Sequence, residues 1–173
     1  RQIGVSEQGM SDTATEDLSA HPRVFLVVVD DSEEMRVALR FAGQRARHTG
    51  GRVALFRAIE PVEFQHWMGV GELMREEARQ EAEALMERMS EQVVEMTGAI
   101  PIIYLREGTT REELMNLIDE ERSISVMVLG AAAKADNPGP LISYLSSKGA
   151  ARLRIPITIV PGSLTDEEID ALT

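Results

Sequence analysis

The sequence contains no cysteine, which removes disulfides, thiolate metal sites and cysteine nucleophiles together. Basic residues are scarce beside acidic ones, 18 against 29. The resulting net charge of -11 has the wrong sign for a phosphate-backbone binder, whose affinity comes from clustered lysine and arginine. No apolar run approaches the ~18 residues of a membrane span, and the amino end lacks the charged-then-apolar pattern of a secretion signal. The expectation is a cytoplasmic protein with neither a membrane nor a nucleic acid as its partner. His21, His48 and His66 lie far apart and show no ligand spacing, so a metal site is not expected. No Gly-x-Ser-x-Gly elbow, Gly-Lys-Ser/Thr phosphate loop or His-Glu-x-x-His motif occurs. Absent too are the Ser-Gly-Gly-x-Asp-Ser of PP-loop enzymes and the His-Ile-Gly-His of class I synthetases. An enzyme is the less expected outcome.

What is present is a chain of 173 residues, 43% hydrophobic and 27% charged, enough for one folded domain with a real core. Residues 1–22 are polar and aperiodic and read as a flexible tail. Met10 within them is a candidate natural start. The folded domain is expected over residues 23–162, followed by a tail, 163–173, that includes a short capped helix starting at Thr165-Asp-Glu-Glu168.

Three features of the domain carry its organisation. Val24-Phe-Leu-Val-Val-Val29 and Ser125-Val-Met-Val-Leu-Gly130 are continuous rather than alternating apolar runs, as inner strands of a parallel sheet are, because both of their faces are buried. Val53-Ala-Leu-Phe-Arg-Ala-Ile59, Ile100-Pro-Ile-Ile-Tyr-Leu105 and Ile155-Pro-Ile-Thr-Ile-Val160 are further strands, with Pro101 placing its strand near an edge or a strand start. Between them the apolar residues fall at helical spacing: Met35, Ala38, Leu39, Ala42 and Ala46; then Met74, Ala78, Ala82, Leu85, Met89, Val93 and Met96; then Leu114, Leu117 and Ile118. Asp31 with Glu34, Thr109 with Glu112, and Thr110 with Glu113 have capping-box spacing. Strand and helix thus alternate through the domain, the mark of a doubly wound α/β fold.

In that order Val27-Val-Val-Asp-Asp-Ser32, Arg106-Glu-Gly108, Val126-Met-Val-Leu-Gly130 and Ile155-Pro-Ile-Thr-Ile-Val160 resemble the universal stress protein family over about residues 24–162. The resemblance implies a Rossmann-like single domain with a five-stranded parallel sheet in order 3-2-1-4-5 and helices on both faces. It also implies a homodimer, often formed through the last strand, here Ile155-Pro-Ile-Thr-Ile-Val160. One branch of the family binds ATP at the ends of strands one and four. Its motif is Gly, two residues, Gly, nine residues, Gly, then Ser or Thr. Small residues there let backbone N–H groups close around phosphate at a helix N-terminus. In this chain Gly130 fits, but the next positions are Ala133, Ser143 and Tyr144, so the motif is degenerate. If Ala133 and Ser143 had to adopt left-handed backbone, strain of about 1–2 kcal/mol each would weaken binding. Asn137-Pro-Gly-Pro140 offers turn residues of a different kind.

The candidate site follows from the resemblance. A ligand, ATP or AMP, would lie between Asp30, Asp31, Glu60 and the loop from Gly130 through Ala133, Lys134 and Ser143 to Tyr144. Each residue also has a plainer reading. Asp30 and Asp31 sit where a helix begins and would serve equally as caps, and the plainer reading of Glu60-Pro61 is a loop that ends the second strand. Lys134 and Lys148 would neutralise phosphate or stay solvated. Ser146 and Ser147, about one turn into the last helix, would donate to an anion or line an ordinary helix face. Phe64, His66 and Trp67 would form a lid, a dimer surface or packing beneath a loop. The leading expectation is a regulatory or stress-response module with a weakened or absent adenine-nucleotide site. The alternative is a genuine ATP or AMP binder, in its extreme form a slow ATPase, using the non-standard loop.

Overall fold

The computed structural model describes residues 21–61, 70–134 and 136–173. Strands and helices alternate through it: β1 (Val24–Val28), α1 (Met35–Thr49), β2 (Arg52–Ile59), α2 (Val70–Thr97), β3 (Ile102–Glu107), α3 (Thr110–Glu120), β4 (Ile124–Ala131), α4 (Pro140–Leu145), β5 (Ile157–Pro161) and α5 (Asp166–Leu172). Every strand pairing is parallel. The strand order is β3-β2-β1-β4-β5, the 3-2-1-4-5 arrangement expected from the sequence.

Alternation along the strands builds two cores. Val24, Leu26 and Val28 of β1, with Ala54, Phe56 and Ala58 of β2, face Leu114, Leu117 and Ile118 of α3 and Ile142 and Leu145 of α4. Phe25 and Val27, with Val53 and Leu55, face the other way against α1, against Met86, Met89 and Val93 of α2, and against Ile169 of α5. Successive strand side chains point to opposite faces, so a run such as Val24-Phe-Leu-Val-Val-Val29 must be apolar throughout. Each large side chain buried here stabilises the fold by about 1.5–3 kcal/mol.

The helix ends depart from the capping boxes read in the sequence. α1 is preceded by Glu34 with no side-chain cap: Asp31 is turned outward and 83% exposed, and Asp30 accepts instead from the N–H of Ser32 at 2.9 Å and from the Ser32 hydroxyl. Thr109 at the start of α3 also makes no side-chain cap bond. Among the described residues only the Thr165–Glu168 pair forms a complete capping box. The fourth helix is shorter than its sequence suggests, ending at Leu145. Ser146 Oγ donates to Ile142 O at 2.7 Å and Ser147 Oγ to Ser143 O at 2.7 Å, and such back-bonding offers the chain an alternative to further helix. Ser146, Ser147 and Lys148 therefore lie past the last helical residue rather than within the helix.

β5 is an edge strand, hydrogen-bonded to β4 alone among the described residues, and Ile159 on it is 46% exposed. The carboxy-terminal helix does not cover that edge. α5 lies on α1, where Ile169 is fully buried; Arg40 Nη2 meets Asp170 at 2.7 Å, and Arg36 pairs with Asp166.

Candidate functional site

The chain reverses its winding direction between β1 and β4, and in open α/β sheets ligands bind at that switch point, outside the carboxyl ends of the strands. A crevice lies there in two adjoining parts. The larger, about 350 Å³, runs between the ends of β1 and β2 and the first residues of α3 and α4. The smaller, about 100 Å³, lies between Asp30, Glu34, Gly130 and the Pro138-Gly-Pro140 turn. A further cleft of about 340 Å³ opens on the α2 side and shares Arg57, Glu60 and Thr110 with the larger part.

Asp30 and Glu60 both line the larger part, and each carboxylate is engaged. Asp30 holds the Ser32 turn. Glu60 Oε1 accepts from the Thr110 N–H and from the Thr110 hydroxyl, both at 3.1 Å. Glu60 therefore caps α3 from β2, the role that Thr109 and Thr110 were expected to fill locally. Asp31 points outward, 83% exposed, with Arg57 Nη2 at 3.7 Å.

The smaller part is built from the loop that resembles a phosphate cradle. A side chain at Gly130 would begin 2.0 Å from the Glu34 carbonyl oxygen, so the first turn toward α1 packs directly onto this glycine. Gly139, at φ 123°, takes the backbone conformation that a side chain disfavours. No non-glycine residue among those described has positive φ. Ala133 and Ser143 are thus free of the left-handed strain considered for them, because the loop turns at Gly139 instead.

Several of its hydrogen-bond donors are missing or committed within the loop. Pro138 and Pro140 have no N–H; the Ala132 N–H reaches Pro138 O at 3.4 Å. The Gly139 N–H and the Ser143 hydroxyl both donate to Asn137 Oδ1, at 3.0 Å each.

Ala133, Lys134, Ser143 and Tyr144 line neither part of the crevice. Lys134 is exposed. Tyr144 packs against the core, with the Arg111 guanidinium 4.0 Å above its ring. Phe64, His66 and Trp67 lie outside the described residues. No group of three metal-ligating side chains occurs among the described residues. Groups with displaced pKa values lie elsewhere: burial raises Tyr104 on β3, and the hydrogen bond from Arg40 lowers Asp170 on α5.

Two crevice residues escape a motif-based reading, Arg57 and Arg111. Each left a signal: Arg57 is a charge inside an inner, otherwise apolar strand, and Arg111 is a cation in the first turn of a helix, against the helix dipole.

The strand order, the crevice at the switch point and the glycine-turned loop after β4 define an α/β protein of the doubly wound class. The model of the universal stress protein family matches residues 22–161, and the chain belongs to that family. Among solved structures it is similar to a universal stress protein from Lactobacillus plantarum, at 16% identity and TM-score 0.66, covering 82% of this chain and 99% of that one. An Arabidopsis thaliana family protein with AMP bound is 13% identical, with TM-score 0.60 and coverage of 84% and 95%. The Archaeoglobus fulgidus universal stress protein in complex with dAMP is 17% identical, with TM-score 0.54 and coverage of 80% and 97%. No curated protein sequence matches the chain.

Proposed function

We propose that this protein is a regulatory or stress-response module of its family whose adenine-nucleotide site is weakened. The observation that carries this reading is the state of the donors in the β4–α4 loop. A phosphate cradle works by presenting unpaired N–H groups to the anion. Here two positions are proline, and the Ala132 and Gly139 N–H groups and the Ser143 hydroxyl have partners within the loop. Opening those bonds on binding would cost the loop its own closure. Asp30 and Glu34 also add negative charge beside this loop, which opposes a polyphosphate.

The alternative is a genuine ATP or AMP binder, in its extreme form a slow ATPase. It is favoured by the persistence of the larger part of the crevice beside Asp30 and by the AMP and dAMP in the structures of two family proteins. A cytoplasmic homodimer paired through β5 completes the proposal, supported by the unpaired edge that Ile159 exposes.

The deciding experiment is calorimetric titration of nucleotide-stripped protein with ATP, with and without Mg²⁺, and then with AMP. The proposal expects no heat and no thermal stabilisation below millimolar nucleotide. Micromolar binding that falls on replacing Asp30 and Lys134 would establish the alternative.

A further inference from the structure

We propose that the larger part of the crevice takes a small molecule with a flat apolar body and one anionic group, and that Arg57 and Arg111 hold that anion. The inference rests on the reading that the β4–α4 loop is a poor phosphate cradle, and it moves the charge-recognising end of the crevice to the opposite side.

The larger part has an apolar floor, with Val28, Val29 and Ala58 from the sheet and Pro140 and Leu141 from α4. Its polar side is lined by two arginines, Arg57 and Arg111. Arg57 Nη1 donates to Val29 O at 3.3 Å, and its pairing with the highly exposed Asp31 is loose. Its Nε is buried with no hydrogen-bond partner, an orphaned donor of the kind native structures seldom leave unexplained. Arg111 makes no ion pair among the described residues; only the Tyr144 ring steadies it. The two carboxylates of the wall do not answer these cations, since Asp30 serves Ser32 and Glu60 serves Thr110. Guanidinium groups with unspent donors suit a carboxylate or a phosphate. About 350 Å³ is pocket enough for a small ring system beside such a group.

The test uses the full chain with three probes that share one ring system: 1-naphthoate, 1-naphthyl phosphate and neutral 1-naphthol, each titrated by calorimetry. Both anions are expected to bind at least tenfold more tightly than 1-naphthol. Arg111→Gln, on an exposed side chain, is expected to cost the anions about tenfold and to leave 1-naphthol unchanged. Arg57→Lys keeps the charge while removing the fork, and a smaller loss confined to the anions is expected. Arg122→Gln, at the far end of the sheet, controls for net charge. Preference for carboxylate or for phosphate identifies the anion. Equal affinity for all three probes, no binding of either anion, or an Arg111→Gln variant with unchanged anion affinity overturns the proposal. The ATP titration fails or succeeds separately: micromolar ATP binding that is insensitive to Arg111→Gln would overturn the weakened-site reading without touching the naphthyl result.

Discussion

Glu60 Oε1 accepts two hydrogen bonds from Thr110, one from its N–H and one from its hydroxyl, each at 3.1 Å. The last residue before the β2 loop thereby caps a helix 50 positions away, and it does so inside the crevice wall. Replacing Glu60 by Ala should destabilise the protein by about 1 kcal/mol, in the range of a lost N-cap. Thr110→Val should do nearly the same, and the double variant should cost little more than either single one. Urea unfolding midpoints read this out. Additive losses would mean that the two residues act independently.

Gly130 tests whether the loop after β4 serves the chain's own packing. A Cβ there meets the Glu34 carbonyl at 2.0 Å, closer than contact allows, so Gly130→Ala should destabilise by about 1–3 kcal/mol through displacement of the chain entering α1. Denaturant melts check the loss. An unchanged midpoint would show that this approach is easily relieved.

The carboxy-terminal helix is held by one apolar anchor and a set of surface ion pairs. Ile169 is fully buried, and Ile169→Ala should cost about 2–5 kcal/mol. Shortening the chain before Thr165 should cost at least as much.

The same helix should respond to acid. The hydrogen bond from Arg40 holds the Asp170 carboxyl below the usual aspartate range. A carboxylate with a depressed folded-state pKa stabilises the fold above its unfolded pKa, and that contribution is lost as pH falls through the folded value. Thermal melts of the protein and of Asp170→Asn should differ at neutral pH and converge in the strongly acidic range, where Asp170 is protonated in both states. A constant difference across that range would show that the pair is not linked to folding.

β5 offers its free edge and the exposed Ile159, and an edge of this kind invites pairing. Sedimentation velocity should find a dimer at micromolar concentration, and Ile159→Lys should yield a monomer. A monomeric unmodified protein would remove β5 as the pairing surface.

The sequence by itself determined the sheet and its class. Continuous apolar runs such as Val24-Phe-Leu-Val-Val-Val29 require burial on both faces, helical apolar spacing between them requires crossovers, and the quoted motifs carried the family and its strand order. Local bonding within a few residues was legible where nothing distant competed, as at Thr165–Glu168. Elsewhere tertiary structure decided. Glu60 reached Thr110, 50 residues away. Arg57 and Arg111, separate in the chain, came to line one cleft. The reason is physical: apolar burial depends on pattern, which the chain carries locally, whereas a donor or acceptor takes whichever partner the completed fold brings within about 3 Å.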